Sequence, residues 1–202
     1  MNLTTNITIP TQSDPVPAMS VFGWIMIQQR LGYAFNWSLT WVNYKAGFGS
    51  IDANFWLGLE KMHLLTSSQP YRLRVEIQER WSAKLWYSAE FWSLKIGDEL
   101  NDKYRLEVSG YSGDAGDSIQ WEDDKNGDGK FGKYYQNGME FSTYDQDNDL
   151  YPWNCAFFNE GGFWYNSCHA GCLTCKKGTF VWYTISTSNH QIANSRMLIK
   201  PQ

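Results

Sequence analysis

At 202 residues the chain is long enough for one large core or two small ones. A net charge of −4 and a pI near 5.4 give no basic stripe for nucleic acid, and no apolar run approaches the roughly eighteen residues that span a membrane. Aromatic residues make up 17% of the chain and charged residues 19%, with 11 Trp, 12 Tyr, 11 Phe and 17 Gly, which points to a loop-rich fold with a core of large rings.

Residues 1–19 are polar and carry Pro10, Pro15 and Pro17. No charged segment followed by an apolar one occurs there, so they read as a flexible lead-in and not as a signal peptide. A secreted protein would carry its leader outside this stretch. Residues 21–30 (VFGWIMIQQR) are rich in β-branched and aromatic side chains and predict a strand. Trp37, Trp41 and Tyr44 then fall at i, i+4 and i+7, one face of a short helix after a Ser or Asn cap, which Gly47 ends. Residues 54–66 read as a strand leading into a helix. His63 lies in that apolar helical stretch and reads as a structural histidine.

Residues 71–79 (YRLRVEIQE) alternate apolar and polar with period two, the mark of a half-exposed strand. Residues 85–94 and 104–108 predict further strands, antiparallel by their short connections. Residues 111–118, with Gly113 and Gly116, predict a turn. Residues 122–135 are polar and glycine-rich. Asp124, Asn126 and Asp128 with Gly129 mimic the start of an EF-hand loop, but the twelfth position is Tyr135 where such a loop needs a bidentate glutamate, so a surface insertion is the preferred reading. Residues 180–183 and 197–201 predict the last strands.

Two stretches carry the chemistry. Asp145, Asp147 and Asp149 crowd three carboxylates into five residues. A solvated acidic turn and a site for a hard, oxygen-seeking cation both explain them. Just downstream, Cys155, Cys168, Cys172 and Cys175 share one window, and by spacing alone they are either a zinc cluster or disulfides. Only Cys172 and Cys175 have knuckle spacing. This pair can bridge each other, bind a metal or stay a redox couple. Asn2-Leu3-Thr4, Asn6-Ile7-Thr8 and Asn36-Trp37-Ser38 are glycosylation sequons, and with the cysteines they lean towards disulfides in an oxidising, extracellular setting. Enzymatic signatures are missing: there is no G-x-S-x-G or H-E-x-x-H, and the histidines are His63, His169 and His190.

From residue 20 onward the sequence resembles the fibrinogen-related domain, the C-terminal globule of fibrinogen chains, ficolins, angiopoietins, tenascins and tachylectins. The matching blocks run in the family's order. They begin with Gly23-Trp24 and Ile27-Gln28-Gln29-Arg30, then Tyr44-Lys45-Ala46-Gly47-Phe48-Gly49, Phe55-Trp56-Leu57-Gly58-Leu59-Glu60 and Tyr71-Arg72-Leu73-Arg74-Val75. Next come Tyr111-Ser112-Gly113-Asp114-Ala115-Gly116-Asp117, Asn137-Gly138-Met139 with Phe141-Ser142-Thr143, Asp145-Gln146-Asp147-Asn148-Asp149, Asn154-Cys155-Ala156, and Gly162-Phe163-Trp164-Tyr165 with Cys168-His169.

The resemblance implies an α+β globule over residues 20–202, with a mixed, mostly antiparallel sheet, short helices and a loop-rich C-terminal region for calcium and ligand. It implies Ca2+ held by the side chains of Asp147 and Asp149 and the carbonyls of Tyr151 and Trp153, with Asp145 outside the ligand set. It implies a Cys155–Cys168 disulfide, worth roughly 3 kcal/mol for a loop of that size. A cis Ser167–Cys168 peptide would aim N–H groups near Cys168 and His169 into a ligand pocket that also includes Ser167 and Asn159. His169 has two readings, pocket residue or loop support.

Departures from the family are specific. The family's N-terminal piece with its first disulfide is not in this sequence. Asn159 stands where lectin members carry a pocket aromatic. The shortened stretch after Cys175 lacks the residues that normally supply a pocket tyrosine. The functional expectation is a secreted, calcium-dependent recognition module of the innate-immune lectin type, binding acetylated glycans or microbial surfaces. The alternative is a protein-binding module for a cell-surface receptor, the matrix or a clot. Oligomerisation in the family runs through stalks, and no such repeat is seen here.

Overall fold

The computed structural model describes residues 2–10, 14–80, 85–120, 134–185 and 192–202. The EF-hand-like run at 124–129 and His190 lie outside the described residues. Two hairpin strands open the chain, β1 (Asn2–Ile7) and β2 (Val16–Val21), followed by β3 (Trp24–Leu31). The stretch expected as a flexible lead-in thus contains β1 and most of β2. Polar Thr and Asn mask the pattern there, but Ile7, Ile9, Ala18 and Met19 are buried, and pairing with β3 supplies the backbone partners. The expected single strand at 21–30 is interrupted at Phe22–Gly23. Both have positive φ, 50° and 80°, the backbone of a tight two-residue hairpin turn.

Helix α1 (Trp41–Ala46) starts later than the aromatic spacing suggested. Thr40 is its cap, closed reciprocally with Asn43, because a capping box satisfies two backbone donors at once. Trp41 and Tyr44 are buried on its inner face, while Trp37 is buried from the preceding loop. Gly47 ends the helix as expected. Its φ is 96°, and a Cβ there would lie 2.3 Å from the Leu57 carbonyl oxygen. Strands β4 (Phe48–Gly49) and β5 (Phe55–Trp56) lead to α2 (Leu59–Ser68). His63 on α2 is structural, with Nδ1 2.9 Å from the Ile96 carbonyl and 3.2 Å from the Ser67 hydroxyl.

Strand β6 (Tyr71–Glu79) matches its predicted bounds, with Tyr71, Leu73, Val75 and Ile77 inward. β7 (Trp86–Ile96) runs two residues past its expected end. The short helix α3 (Glu99–Asp102), capped by Asp98, follows. Tyr104 sits in the turn after it, and β8 (Leu106–Gly113) continues into the stretch read as a turn, because Tyr111 to Gly113 still pair with β7. β9 (Phe141–Ser142), α4 (Cys155–Asn159), β10 (Phe163–Trp164), β11 (Gly171–Cys172) and β12 (Val181–Trp182) form the loop-rich part, and β13 (Ile192–Pro201) closes the chain.

The main sheet runs β1-β2-β3-β13-β6-β7-β8, with β5 beside β3 and β4 beside β5, all antiparallel. The final strand sits in the middle, so the two halves of the chain are locked through it. Between sheet and loops lies an aromatic core. Tyr44 meets Trp56 and Phe141 at 5.4 and 5.1 Å, and Trp164 meets Phe141 edge-on at 5.1 Å. Such pairs add about 0.5–1.5 kcal/mol beyond area burial. The Tyr44 hydroxyl donates to the Trp37 carbonyl and accepts from the Gly162 N–H at 3.0 Å, which fixes the loop region against the sheet.

Candidate functional site: the acidic turn and the adjoining pocket

The two-residue pairing of β9 with β10 brings the acidic turn beside the second half of the loop region. Each aspartate then has a separate task. Asp145 accepts from the Trp41 N–H at 2.9 Å and the Thr143 hydroxyl at 2.7 Å. It satisfies the first backbone donor of α1 and places negative charge at that helix start. That carboxylate oxygen has a structural task at the start of α1. Asn148 ties the turn to β9, donating to the Phe141 carbonyl at 2.6 Å.

Asp149 accepts from the Tyr151 N–H at 2.9 Å and the Cys155 N–H at 2.8 Å. Asp147 accepts from the Asp149 N–H at 3.2 Å and is exposed. Burial pushes the Asp149 carboxyl up to about 6, and the negative charge of Asp147 adds to the rise, against the two backbone bonds that lower it. Two neighbouring carboxylates thus crowd without a paired cation among the described residues. No turn or cap N–H among the described residues is directed at the carbonyls of Tyr151 or Trp153. Two carboxylates and two available carbonyls make an all-oxygen donor set, which fits the chemistry of Ca2+. No group of three or more His, Cys, Asp or Glu side chains suited to a metal occurs among the described residues.

Asn154 caps α4 through the Phe157 N–H at 2.8 Å and reaches back to the Thr143 carbonyl at 2.9 Å. The helix start places Cys155 against Cys168, and the two form a disulfide with an S–S distance of 2.06 Å. Cys172 and Cys175 form the second disulfide, so no thiol is free. That settles the alternatives left by spacing: the pair neither binds zinc nor waits as a dithiol. The Tyr165 hydroxyl donates to the Gly161 carbonyl at 2.6 Å and lies 3.1 Å from the Cys175 sulfur.

The Ser167–Cys168 peptide is cis. Beside it opens a pocket of about 550 Å³ that contains the four expected residues Asn159, Ser167, Cys168 and His169. Asn159 is buried and donates to the Cys155 carbonyl at 2.8 Å. His169 is 9% exposed, packs its ring 5.8 Å from Tyr165, and its Nδ1 has no hydrogen-bond partner among the described residues. Burial lowers it to about 4, so the imidazole is neutral at physiological pH. It both lines the pocket and packs the loop.

The rest of the wall was not foreseen. Tyr134, Phe158, Thr179 and Tyr183 join Tyr151 and Trp153 around the opening. The aromatic deficit suggested by Asn159 and by the short stretch after Cys175 is made good from other parts of the chain. Phe158 was findable as one of two consecutive phenylalanines after Cys155. Tyr134 and Tyr183 carry no local signal.

A nine-stranded antiparallel sheet, an aromatic core and a disulfide-braced loop region define an α+β fibrinogen-like globule. The family description of fibrinogen beta and gamma chains, C-terminal globular domain, matches residues 18–202, and the chain belongs to that family. Human angiopoietin-related protein 1 is 41% identical over 145 residues, covering 72% of this chain and 26% of the relative. Human fibrinogen gamma chain is 41% identical over 160 residues, 75% of this chain and 34% of the relative. The chain thus spans between a quarter and a third of these curated relatives.

Among solved structures, the fibrinogen-like globe domain of human ANGPTL2 superposes with a TM-score of 0.86 at 28% identity, covering 100% of this chain and 93% of that one. Lamprey fibrin D-dimer, complexed with the peptide Gly-His-Arg-Pro-amide, superposes with a TM-score of 0.85 at 31% identity, covering 94% and 66%. Angiopoietin-related proteins and fibrinogen chains are non-enzymatic, and this domain is read with them.

Proposed function

We propose that the chain is an extracellular, calcium-binding recognition module that takes a short peptide segment of a protein partner into the pocket beside Cys168 and His169. The observation that carries this reading is the character of that pocket. It is aromatic, with buried Asn159 and a neutral His169, and among the described residues it presents no charged side chain on its wall. Such a cleft suits main-chain amides and small side chains and gives an anionic ligand no counter-charge. The relatives in sequence are angiopoietin-related proteins and fibrinogen gamma chains, and one structural neighbour holds a tetrapeptide amide. Two disulfides and the sequons support an extracellular setting.

In the same reading Asp147 and Asp149 hold Ca2+ together with the carbonyls of Tyr151 and Trp153. The ion supplies charge neutralisation and bracing. Tyr151 and Trp153 also line the pocket, so fixing their backbone orders the pocket mouth before the ligand arrives and removes an entropic cost of binding.

An acetylated-glycan lectin of the innate-immune type is the second reading. Trp153 is 62% exposed and lies edge-on to Tyr151 at 5.5 Å, and open rings of this kind stack on sugar faces. Panning the chain against a displayed library of peptides with free N-termini, in calcium, decides between them. Enriched peptides whose binding falls at least tenfold in Trp153→Ala support the peptide reading. Retention on an N-acetylated sugar resin, released by free acetate and without peptide enrichment, overturns it in favour of the lectin.

A further inference from the structure

Arg30 is a buried cation without an acid. It is 1% exposed, and no carboxylate pairs with it among the described residues. Its Nε donates to the Gly32 carbonyl at 3.0 Å, and Nη1 donates to the carbonyls of Leu173 and Cys175. The guanidinium lies 4.1 Å over the Phe180 ring and 5.9 Å from the Trp37 ring. Burial lowers it to about 10, which leaves it protonated at neutral pH.

Trp37 presents an unmet donor on the same cavity. It is 2% exposed, and its indole Nε1–H has no partner among the described residues. Both side chains line one cavity of about 390 Å³, with Tyr33, Asn36 and Lys177. The carboxylate on that wall, Glu160, is held by Lys176 at 3.0 Å and forms no ion pair with Arg30. The Asn36 side-chain oxygen already accepts from the Ser38 N–H at 2.9 Å. A buried positive charge with no carboxylate partner among the described residues and a buried indole N–H with no acceptor thus border one cavity. A lone buried cation is unfavourable unless it is paired, and buried donors in folded proteins find acceptors.

We propose a small-anion site between Arg30 and Trp37, suited to a halide or a formate-sized carboxylate that accepts from the guanidinium and the indole N–H together. The bound anion offsets the cost of burying the Arg30 charge and so favours the guanidinium staying where it holds the carbonyls of Leu173 and Cys175, in the loop closed by Cys172 and Cys175. That loop continues into Lys176, whose N–H donates to the Asn159 carbonyl at 2.8 Å, so the anion stiffens one wall of the recognition pocket from behind.

The test is a bromide soak of crystals of the full chain read by anomalous scattering, with melting curves in sodium chloride, formate and gluconate at equal ionic strength. The expected result is one bromide peak within hydrogen-bonding distance of Trp37 Nε1 and Arg30. Melting temperatures should rise by about 4 °C at ten times the dissociation constant in chloride or formate and not in bulky gluconate, with the rise lost in Trp37→Phe, which keeps the ring and removes the donor. A rise in only one of chloride and formate assigns the site to that ion. Density for a water in place of bromide, or an equal rise in Trp37→Phe, overturns the site. The bromide map needs only the wild-type protein, so a variant that fails to fold leaves the test intact.

Discussion

Acidification provides a direct probe of the buried His169. Its imidazole sits at about 4 because burial disfavours the charged form, against 6.5 in the unfolded chain. Above pH 6.5 both states hold a neutral ring and the contribution is complete. As pH falls from 6.5 towards 4 the unfolded chain takes up a proton that the folded chain refuses, and stability is lost. The two values give a loss of about 2 kcal/mol at pH 5 and about 3 kcal/mol below pH 4. For a domain of this size 2 kcal/mol corresponds to roughly 4–8 °C in melting temperature. Thermal melts at pH 7 and pH 5 should show this excess drop in the wild type relative to His169→Phe. With three histidines in the chain, the His169 ring resonance can be followed by NMR, and it should not titrate between pH 7 and pH 5. Equal pH slopes in wild type and variant, or a ring titrating near 6.5, would show that His169 is not held neutral by burial.

Asp145→Ala removes two hydrogen bonds to a charged acceptor at the start of α1 and should cost about 2 kcal/mol. The drop in melting temperature should be the same in calcium and in chelator, and a calcium-specific drop would place Asp145 among the ligands. Replacing Cys155 and Cys168 together by alanine should destabilise by about 3 kcal/mol, against about 2 kcal/mol for Cys172 with Cys175, because the second loop is much shorter; denaturant melts showing the reverse order would contradict the loop-closure account. Gly47→Ala forces a Cβ to 2.3 Å from the Leu57 carbonyl at a φ of 96° and should cost at least about 2 kcal/mol by chemical denaturation; a neutral result would mean that the α1–β5 junction relaxes freely.

The parts of this fold legible in the sequence were those with a local signature. β6 shows clean alternation, so its bounds are recovered to the residue. Gly47 announces the end of α1 because no other residue fits there. The start of α1 was harder, since Trp37, Trp41 and Tyr44 are all buried and helical spacing cannot tell a helix face from rings that converge out of a loop. β1 was hidden for a different reason: its edge-strand composition is polar, and its order comes from pairing with β2.

The site shows the same division. The residues from Asp145 to Asp149 and the Cys155–Cys168 bridge follow from motif order, but the pocket wall does not. Tyr134 and Tyr183 share a pocket wall with Phe158 only because β11, β12 and the preceding loops fold back together, a long-range arrangement without a local sequence signal. Spacing leaves Cys172 and Cys175 open between bridge, metal and dithiol, and the structure closes them as a disulfide beside Tyr165. Arg30 read as part of a family block, and only the structure shows that it has no carboxylate partner among the described residues.

The central claim is that Ca2+ on Asp147 and Asp149 braces the loop region carrying the recognition pocket, and amide hydrogen exchange with and without the ion tests it most directly. In the wild type, Ca2+ should slow exchange across residues 147–169. In Asp147→Asn, whose exposed side chain accepts from the Asp149 N–H, the gain should disappear. Unchanged exchange in the wild type, or an equal gain in Asp147→Asn, would contradict the account.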